Sequence, residues 1–194
     1  MDSSSGLRMH SETDIREQLI LVTEDDATLA PAGKLETHRS GALHRAFSVF
    51  LFRPNGALLL QKRAPVKYHS AGKWANTCCG HPRPGEDVLS AAERRLTEET
   101  GITASLEEGF KARYRADLDN GMIENELVHV VFGISGVEGR LNPEEVSDYR
   151  NIGLEALGED IANRPETYAV WLVKYFERHA EQIAHHRDLV LSRC

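Results

Sequence analysis

GHPRPGEDVLSAAERRLTEETGI, residues 80–102, is the stretch that decides the fold. Gly80, Pro82, Pro84 and Gly85 make a loop whose backbone can come close to a ligand, and residues 87–100 predict a helix. Acidic Glu86 and Asp87 favour its N-terminus, Ala91 and Ala92 its interior, and Gly101 is placed to cap its end. A helix that starts behind such a loop presents unpaired N–H groups, which suit phosphate. At 3.6 residues per turn Ala91, Arg95, Glu98 and Glu99 fall near one another, so a guanidinium and two carboxylates share a surface able to take a metal and a phosphate. The plainer alternative is a solvated helix laced by Arg94 with Glu98 and Arg95 with Glu99.

On the N-terminal side, residues 46–52 (AFSVFLF) and 57–61 (ALLLQ) flank Arg53-Pro54-Asn55-Gly56. Asn-Gly supplies the positive φ of a tight turn, so the pattern predicts a hairpin. Residues 18–23 predict an earlier strand. Residues 65–76 are irregular and polar, and a loop of that length inside a domain is often functional. On the C-terminal side, residues 110–116 and 122–132 predict two strands around a turn at 117–121, and residues 146–152 a further strand. Residues 168–185 predict an amphipathic helix with Trp171, Leu172, Tyr175 and Phe176 on its apolar side. The fold class is therefore α/β in the α+β sense, a mixed β-sheet sandwiched between helices.

The 194 residues suffice for one domain with a proper core, placed at 17–183 between a disordered N-terminal tail (1–16) and a polar C-terminal tail (184–194). With 41% hydrophobic and 27% charged residues, and no apolar run near the roughly 20 residues that span a bilayer, a membrane protein is not expected. The net charge of -7 argues against general adhesion to nucleic acid or anionic lipid, so any anion site must be local. Cys78 and Cys79 are neighbours and rarely close a disulfide, and the N-terminus has no apolar signal core. Both features fit a cytoplasmic protein.

A second constellation accompanies the first. Glu124 and Glu126 lie two apart on a predicted strand and so share a face, where they repel unless something binds them. A metal explains the pair, and His38, His44 and His81 complete a nitrogen and oxygen donor set suited to Mn²⁺, Mg²⁺ or Zn²⁺. Taken singly, His81 reads as a loop hydrogen-bonder, Glu124 and Glu126 as a solvent face, and Cys79 as a buried small hydrophobe. His69 and His129 have no assigned role.

The stretch 80–102 resembles the Nudix box, with Gly80, Glu86, Arg94, Glu98, Glu99, Gly101 and Ile102 at the matching places. Where a Nudix hydrolase carries a glutamate after the first arginine, this chain has Arg95. That exchange removes a metal ligand and adds a bidentate phosphate partner. Over roughly residues 18–177 the chain resembles the type I isopentenyl-diphosphate isomerases, a branch of the Nudix fold. The resemblance rests on LHRAFSVFLF (43–52), CCGHP (78–82), the altered box, YRAD at Tyr114, ENE (124–126) and Trp171. It implies interconversion of isopentenyl and dimethylallyl diphosphate through a cation-like intermediate, with Cys79 and Glu126 catalytic and Cys78 a bystander. Tyr114 is expected to hydrogen-bond the catalytic glutamate, and Trp171 to face the cation. His38, His44, His81, Glu124 and Glu126 are the implied metal ligands. Glu99 is implied to hold a Mg²⁺ that bridges to the diphosphate, with Cys79 also in the metal shell, and Lys34, Arg63, Lys67 and Arg95 to contact the diphosphate. The implied partner is a small-molecule prenyl diphosphate, and the chain is expected to be a monomer or weak homodimer. A Nudix-type diphosphohydrolase and a noncatalytic binding domain on the same fold are the competing readings.

Overall fold

In the computed structural model, which describes residues 17–67, 69–118 and 121–193, the strand His44–Phe52 has both faces covered. That is why HRAFSVFLF reads as a nearly continuous apolar run instead of an alternating one. Phe47, Val49 and Leu51 pack under one helix with Ala91, Ala92 and Leu96, whereas Ala46, Phe50 and Phe52 pack on the other side with Trp171, Leu172 and Tyr175.

In chain order the elements are β1 (Gln18–Val22), β2 (Thr28–Gly33), α1 (Lys34–Ser40), β3 (His44–Phe52), β4 (Leu58–Arg63), β5 (Trp74–Ala75), β6 (Cys78–Gly80) and α2 (Val88–Thr100). They continue with β7 (Leu106–Asp117), β8 (Ile123–Ile134), β9 (Val146–Ile152), α3 (Leu154–Asn163), a 3-10 turn (Pro165–Thr167) and α4 (Val170–Leu191). Among the described residues the nine strands join in one mixed sheet. β3 runs parallel to β8 from His44↔Glu126 to Phe52↔Ile134, and antiparallel to β6 at Phe47↔Gly80, Ser48↔Cys79 and Val49↔Cys78. The expected sheet between helices is present.

The helix of the opening stretch forms for the reasons its sequence suggests. Asp87 caps it, accepting from the Ser90 N–H at 3.0 Å, and Gly101 ends it in the left-handed region at φ 68. The expected hairpin is a different matter. Its Asn55-Gly56 turn is present, with Gly56 at φ 81, but β3 and β4 pair only at Phe52↔Leu58 before they part. Residues 76–78 wedge between them. The Thr77 hydroxyl accepts from the Leu51 N–H at 3.0 Å and donates to the Leu59 carbonyl at 2.6 Å, while the Asn76 amide donates to the Val49 carbonyl at 3.0 Å. β4 pairs with β9 instead. Thr77→Val is expected to leave two buried backbone groups unpaired and to lower the unfolding free energy by about 1–3 kcal/mol, read from the denaturant midpoint at unchanged m-value.

Two boundaries shift. α4 begins at Val170, because Tyr168 is engaged in a bridge with Trp74, and it runs on to Leu191. Residues 184–191 are thus helix and not the expected polar tail: Ile183 and Val190 are buried, and His186 stacks on Phe132 at 4.7 Å, so this turn has an apolar surface to cover. The expected N-terminal tail, 1–16, lies outside the described residues.

Candidate active site

Strand register brings the site together. The parallel pairing of β3 with β8 sets His44 beside Glu126, and the antiparallel pairing of β7 with β8 sets Tyr114 opposite Glu126 and Ala116 opposite Glu124. On the other edge of β3, Ser48 faces Cys79. Because successive strand residues point to opposite faces, the two cysteines separate. Cys78 is fully buried in the core under α2, and Cys79 turns to the opposite side, into a cleft of about 930 Å³.

At one end of that cleft His38, His44, His81 and Glu126 gather, each offering a donor atom within 4.8 Å of the others. The three imidazole centroids are 4.9, 5.2 and 5.8 Å apart. The Nδ1 of His38 lies 2.8 Å from the Lys34 carbonyl and that of His44 2.9 Å from the Ala42 carbonyl, so both Nδ1 atoms are the protonated ones and both Nε2 lone pairs are free to ligate. The Nε2 of His44 is buried and has no hydrogen-bond partner. Burial and the neighbouring His81 and His44 hold His38 down at about 4, in its neutral, ligating form. The donor spacing and donor types fit a divalent cation, which His81 joins by giving up the proton it holds between Glu126 and Glu17.

The other groups divide around it. Burial works to raise the Glu126 carboxyl, but His44 and His81 outweigh it and keep it well below the usual carboxylate range, with His81 Nε2 at 3.3 Å. Burial disfavours charge on His81, yet Glu126 on one nitrogen and Glu17 on the other push it up to about 9. Glu124 stands outside the four-residue cluster. Its Oε2 accepts from the Tyr114 hydroxyl at 2.6 Å, its Oε1 lies 3.6 Å from His69 Nε2, and burial together with Glu126 raises it to about 7. The expected Tyr114 hydrogen bond therefore goes to Glu124 and not to Glu126, because Glu126 is already turned toward the imidazoles. Cys79 is likewise outside the cluster. Its thiol donates to Asn76 Oδ1 at 3.2 Å and lies 3.4 Å from Ser48 Oγ, and burial pushes it up to about 12, so it holds its proton at neutral pH.

Lys34, Arg63, Lys67, Arg95 and Glu99 line the same cleft. Lys34 pairs with Glu17 at 2.7 Å, Lys67 pairs with Glu145 at 2.6 Å, and the Arg63 guanidinium lies 5.2 Å over the Trp171 ring. Glu99 is buried, with Arg95 on Oε1 and the Gln61 amide on Oε2 at 3.2 Å.

Residues 42–174 match the NUDIX domain family. The isopentenyl-diphosphate Delta-isomerase 2 of Aromatoleum aromaticum is 46% identical over 164 residues, covering 84% of this chain and 87% of that one. The isopentenyl-diphosphate Delta-isomerase 2 of Photorhabdus laumondii subsp. laumondii is 49% identical over 158 residues, covering 81% and 89%. The chain belongs to the isopentenyl-diphosphate Delta-isomerases of the Nudix superfamily. Its fold also matches the crystal structure of DR0079 from Deinococcus radiodurans, with a TM-score of 0.69 at 21% identity over 84% of this chain and 98% of that one.

Within this Nudix chain the box residues have separate tasks. Arg94 clamps the loop to α2 through a bidentate pair with Glu86 at 2.7 and 2.8 Å, and it also meets Glu98 at 3.3 Å, so the plain ion-pair reading holds for this half of the box. Gly80 is required by packing as well as by the cleft, since a Cβ there would come within 2.9 Å of Phe47 Cζ. Arg95 lies among Glu98, Glu99 and Glu145, a fixed cation among three carboxylates. Glu17, Ser48, His69, Asn76, Glu145 and Tyr175 complete the surroundings and were not singled out from sequence as site residues. Ser48 had left a signal, as the one hydroxyl in an apolar strand buried on both faces.

Proposed function

We propose that this chain interconverts isopentenyl diphosphate and dimethylallyl diphosphate by moving a proton onto one end of the allylic unit and off the other. The observation that carries the reading is that the Cys79 thiol and the Glu126 carboxylate, from strands on the two sides of β3, open into one cleft. A buried thiol holding its proton can give one, and an ionised carboxylate can receive one, as general acid and base. Double-bond migration needs both, because a proton is added to a terminal alkene carbon and another leaves the neighbouring methylene, through a tertiary cation or something close to it. Trp171, which lines the cleft, supports that positive charge through its ring, an effect of about 2 kcal/mol when desolvated.

Lys34, Arg63, Lys67 and Arg95 receive the diphosphate, and Glu99 would hold a Mg²⁺ that offsets the diphosphate's charge. The His38, His44, His81 and Glu126 cluster would hold a second divalent ion, Mn²⁺, Mg²⁺ or Zn²⁺ by its donors, with Glu124 next to it on the same strand face. A cation bound there supplies positive charge beside the carboxylate pair and relieves the repulsion between Glu124 and Glu126. Tyr114, bonded to Glu124, steadies the carboxylate beside Glu126. Among the described residues no helix is long and apolar enough to cross a membrane, and Cys78 and Cys79, both free thiols, go with a reducing cytoplasm.

Incubation with isopentenyl diphosphate and Mg²⁺ is expected to give dimethylallyl diphosphate with the diphosphate intact, and chelation by EDTA to stop turnover. Free phosphate without the isomer would return the chain to the diphosphohydrolase reading.

A further inference from the structure

We propose that Asn76 is a positioning residue for this reaction, one whose single carbonyl oxygen orients both the Cys79 thiol and the Trp171 indole. The inference rests on the reading above that places those two side chains at the substrate.

Asn76 is fully buried and uses both ends of its amide. Its Nδ2 donates to the Val49 carbonyl at 3.0 Å and to the Cys78 carbonyl at 3.2 Å. Its Oδ1 accepts the Trp171 indole N–H at 3.0 Å and the Cys79 thiol at 3.2 Å. These partners determine which way round the amide sits: turning it over sets NH₂ against the indole N–H and oxygen against two backbone carbonyls. The oxygen is therefore aimed in one direction by β3 and β6, the strands that carry Ser48 and Cys79.

Two distant parts of the chain converge on that atom. Trp171 lies in the first turn of α4, 95 residues after Asn76, and the turn is tied down nearby by the Ala169 N–H on the Trp74 carbonyl at 2.8 Å. The sulfur has a second neighbour, Ser48 Oγ at 3.4 Å, which itself accepts the Tyr175 hydroxyl at 2.9 Å. With a lone pair of Ser48 taken by Tyr175, the Ser48 proton is free to turn to sulfur, and the thiol hydrogen has Asn76 as its acceptor. The thiol is thus held from two sides and the indole edge from one. Removing Oδ1 frees both, whereas the diphosphate contacts at Lys67 and Arg95 stay in place. The loss therefore falls on kcat and not on KM.

Asn76→Leu is expected to lower kcat by about 10²-fold with KM changed less than about threefold. Asn76→Gln, which keeps an amide N–H for the backbone carbonyls and an amide oxygen for the thiol and indole, is expected to lose at least about tenfold less kcat than Asn76→Leu. A kcat for Asn76→Leu within threefold of the parent, or equal losses in both variants, overturns the proposal. A measurement independent of whether Asn76→Leu folds is the Trp171 indole N–H resonance. It is expected to exchange slowly with solvent, and to shift in Cys79→Ala because the two hydrogens share one acceptor. Rapid exchange or an unmoved resonance overturns the proposal. Full activity in Cys79→Ala would bring down the site reading itself, whereas activity lost in Cys79→Ala and kept in Asn76→Leu would bring down this inference alone.

Discussion

Cys79→Ala is expected to lower kcat by about 10³-fold or more, while Cys78→Ala keeps kcat within about threefold and loses about 1 kcal/mol of stability. The two thiols are adjacent in sequence, and the strand puts them in different environments. Cys78 is enclosed with Ala91, Ala92 and Leu96, where burial and the nearby Glu99 carboxylate push its thiol well up and no substrate reaches it. Cys79 lines the cleft between Ser48 and Asn76. Steady-state kinetics with a chemical-denaturation curve for each variant separates the two effects. Equal loss of activity in both would show that the register of β6 does not select the reacting thiol.

Glu126→Gln is expected to cost at least as much, about 10³-fold in kcat, and to weaken metal retention as well, because the same carboxylate belongs to the histidine cluster and lines the cleft. Glutamine keeps the size but cannot take a proton or neutralise His81. The matching change at Glu124 tests the division of labour. Glu124 is bonded to Tyr114 and stands outside the four-residue cluster, so Glu124→Gln is expected to lose less activity than Glu126→Gln. Metal content by elemental analysis beside the rate constants checks this, and equal losses at the two glutamates would remove the special role given to Glu126.

The loop and helix at 80–102 were legible because local chemistry specifies them: Asp87 and Gly101 cap the helix wherever it packs. The two sides of the carboxylate pair could also be read locally, since period two places Glu124 and Glu126 on one face. The parting of β3 from β4 could not be read, because it depends on Thr77 and Asn76 entering between strands from outside the hairpin. The hydrogen-bond partner of Tyr114 was missed for a related reason. Register places it opposite Glu126, but the His44 and His81 imidazoles engage that carboxylate and leave Glu124 for the phenol. Buried polar residues such as Ser48, Asn76 and Tyr175 carry no motif of their own and acquire meaning only from what the fold sets beside them. Arg95, by contrast, was legible in sequence as a cation in a carboxylate's place, and the fold sets it among Glu98, Glu99 and Glu145.

The central claim is that the reaction takes place on the carbon skeleton, with protons exchanged at Cys79 and Glu126 while the box holds the diphosphate. Incubation with isopentenyl diphosphate and Mg²⁺ in D₂O, followed by mass spectrometry and NMR of the product, tests this most directly. The account predicts dimethylallyl diphosphate carrying solvent deuterium in a methyl group, with no phosphate released. Phosphate release without isomerisation, or an isomer formed with no deuterium from solvent, would contradict it.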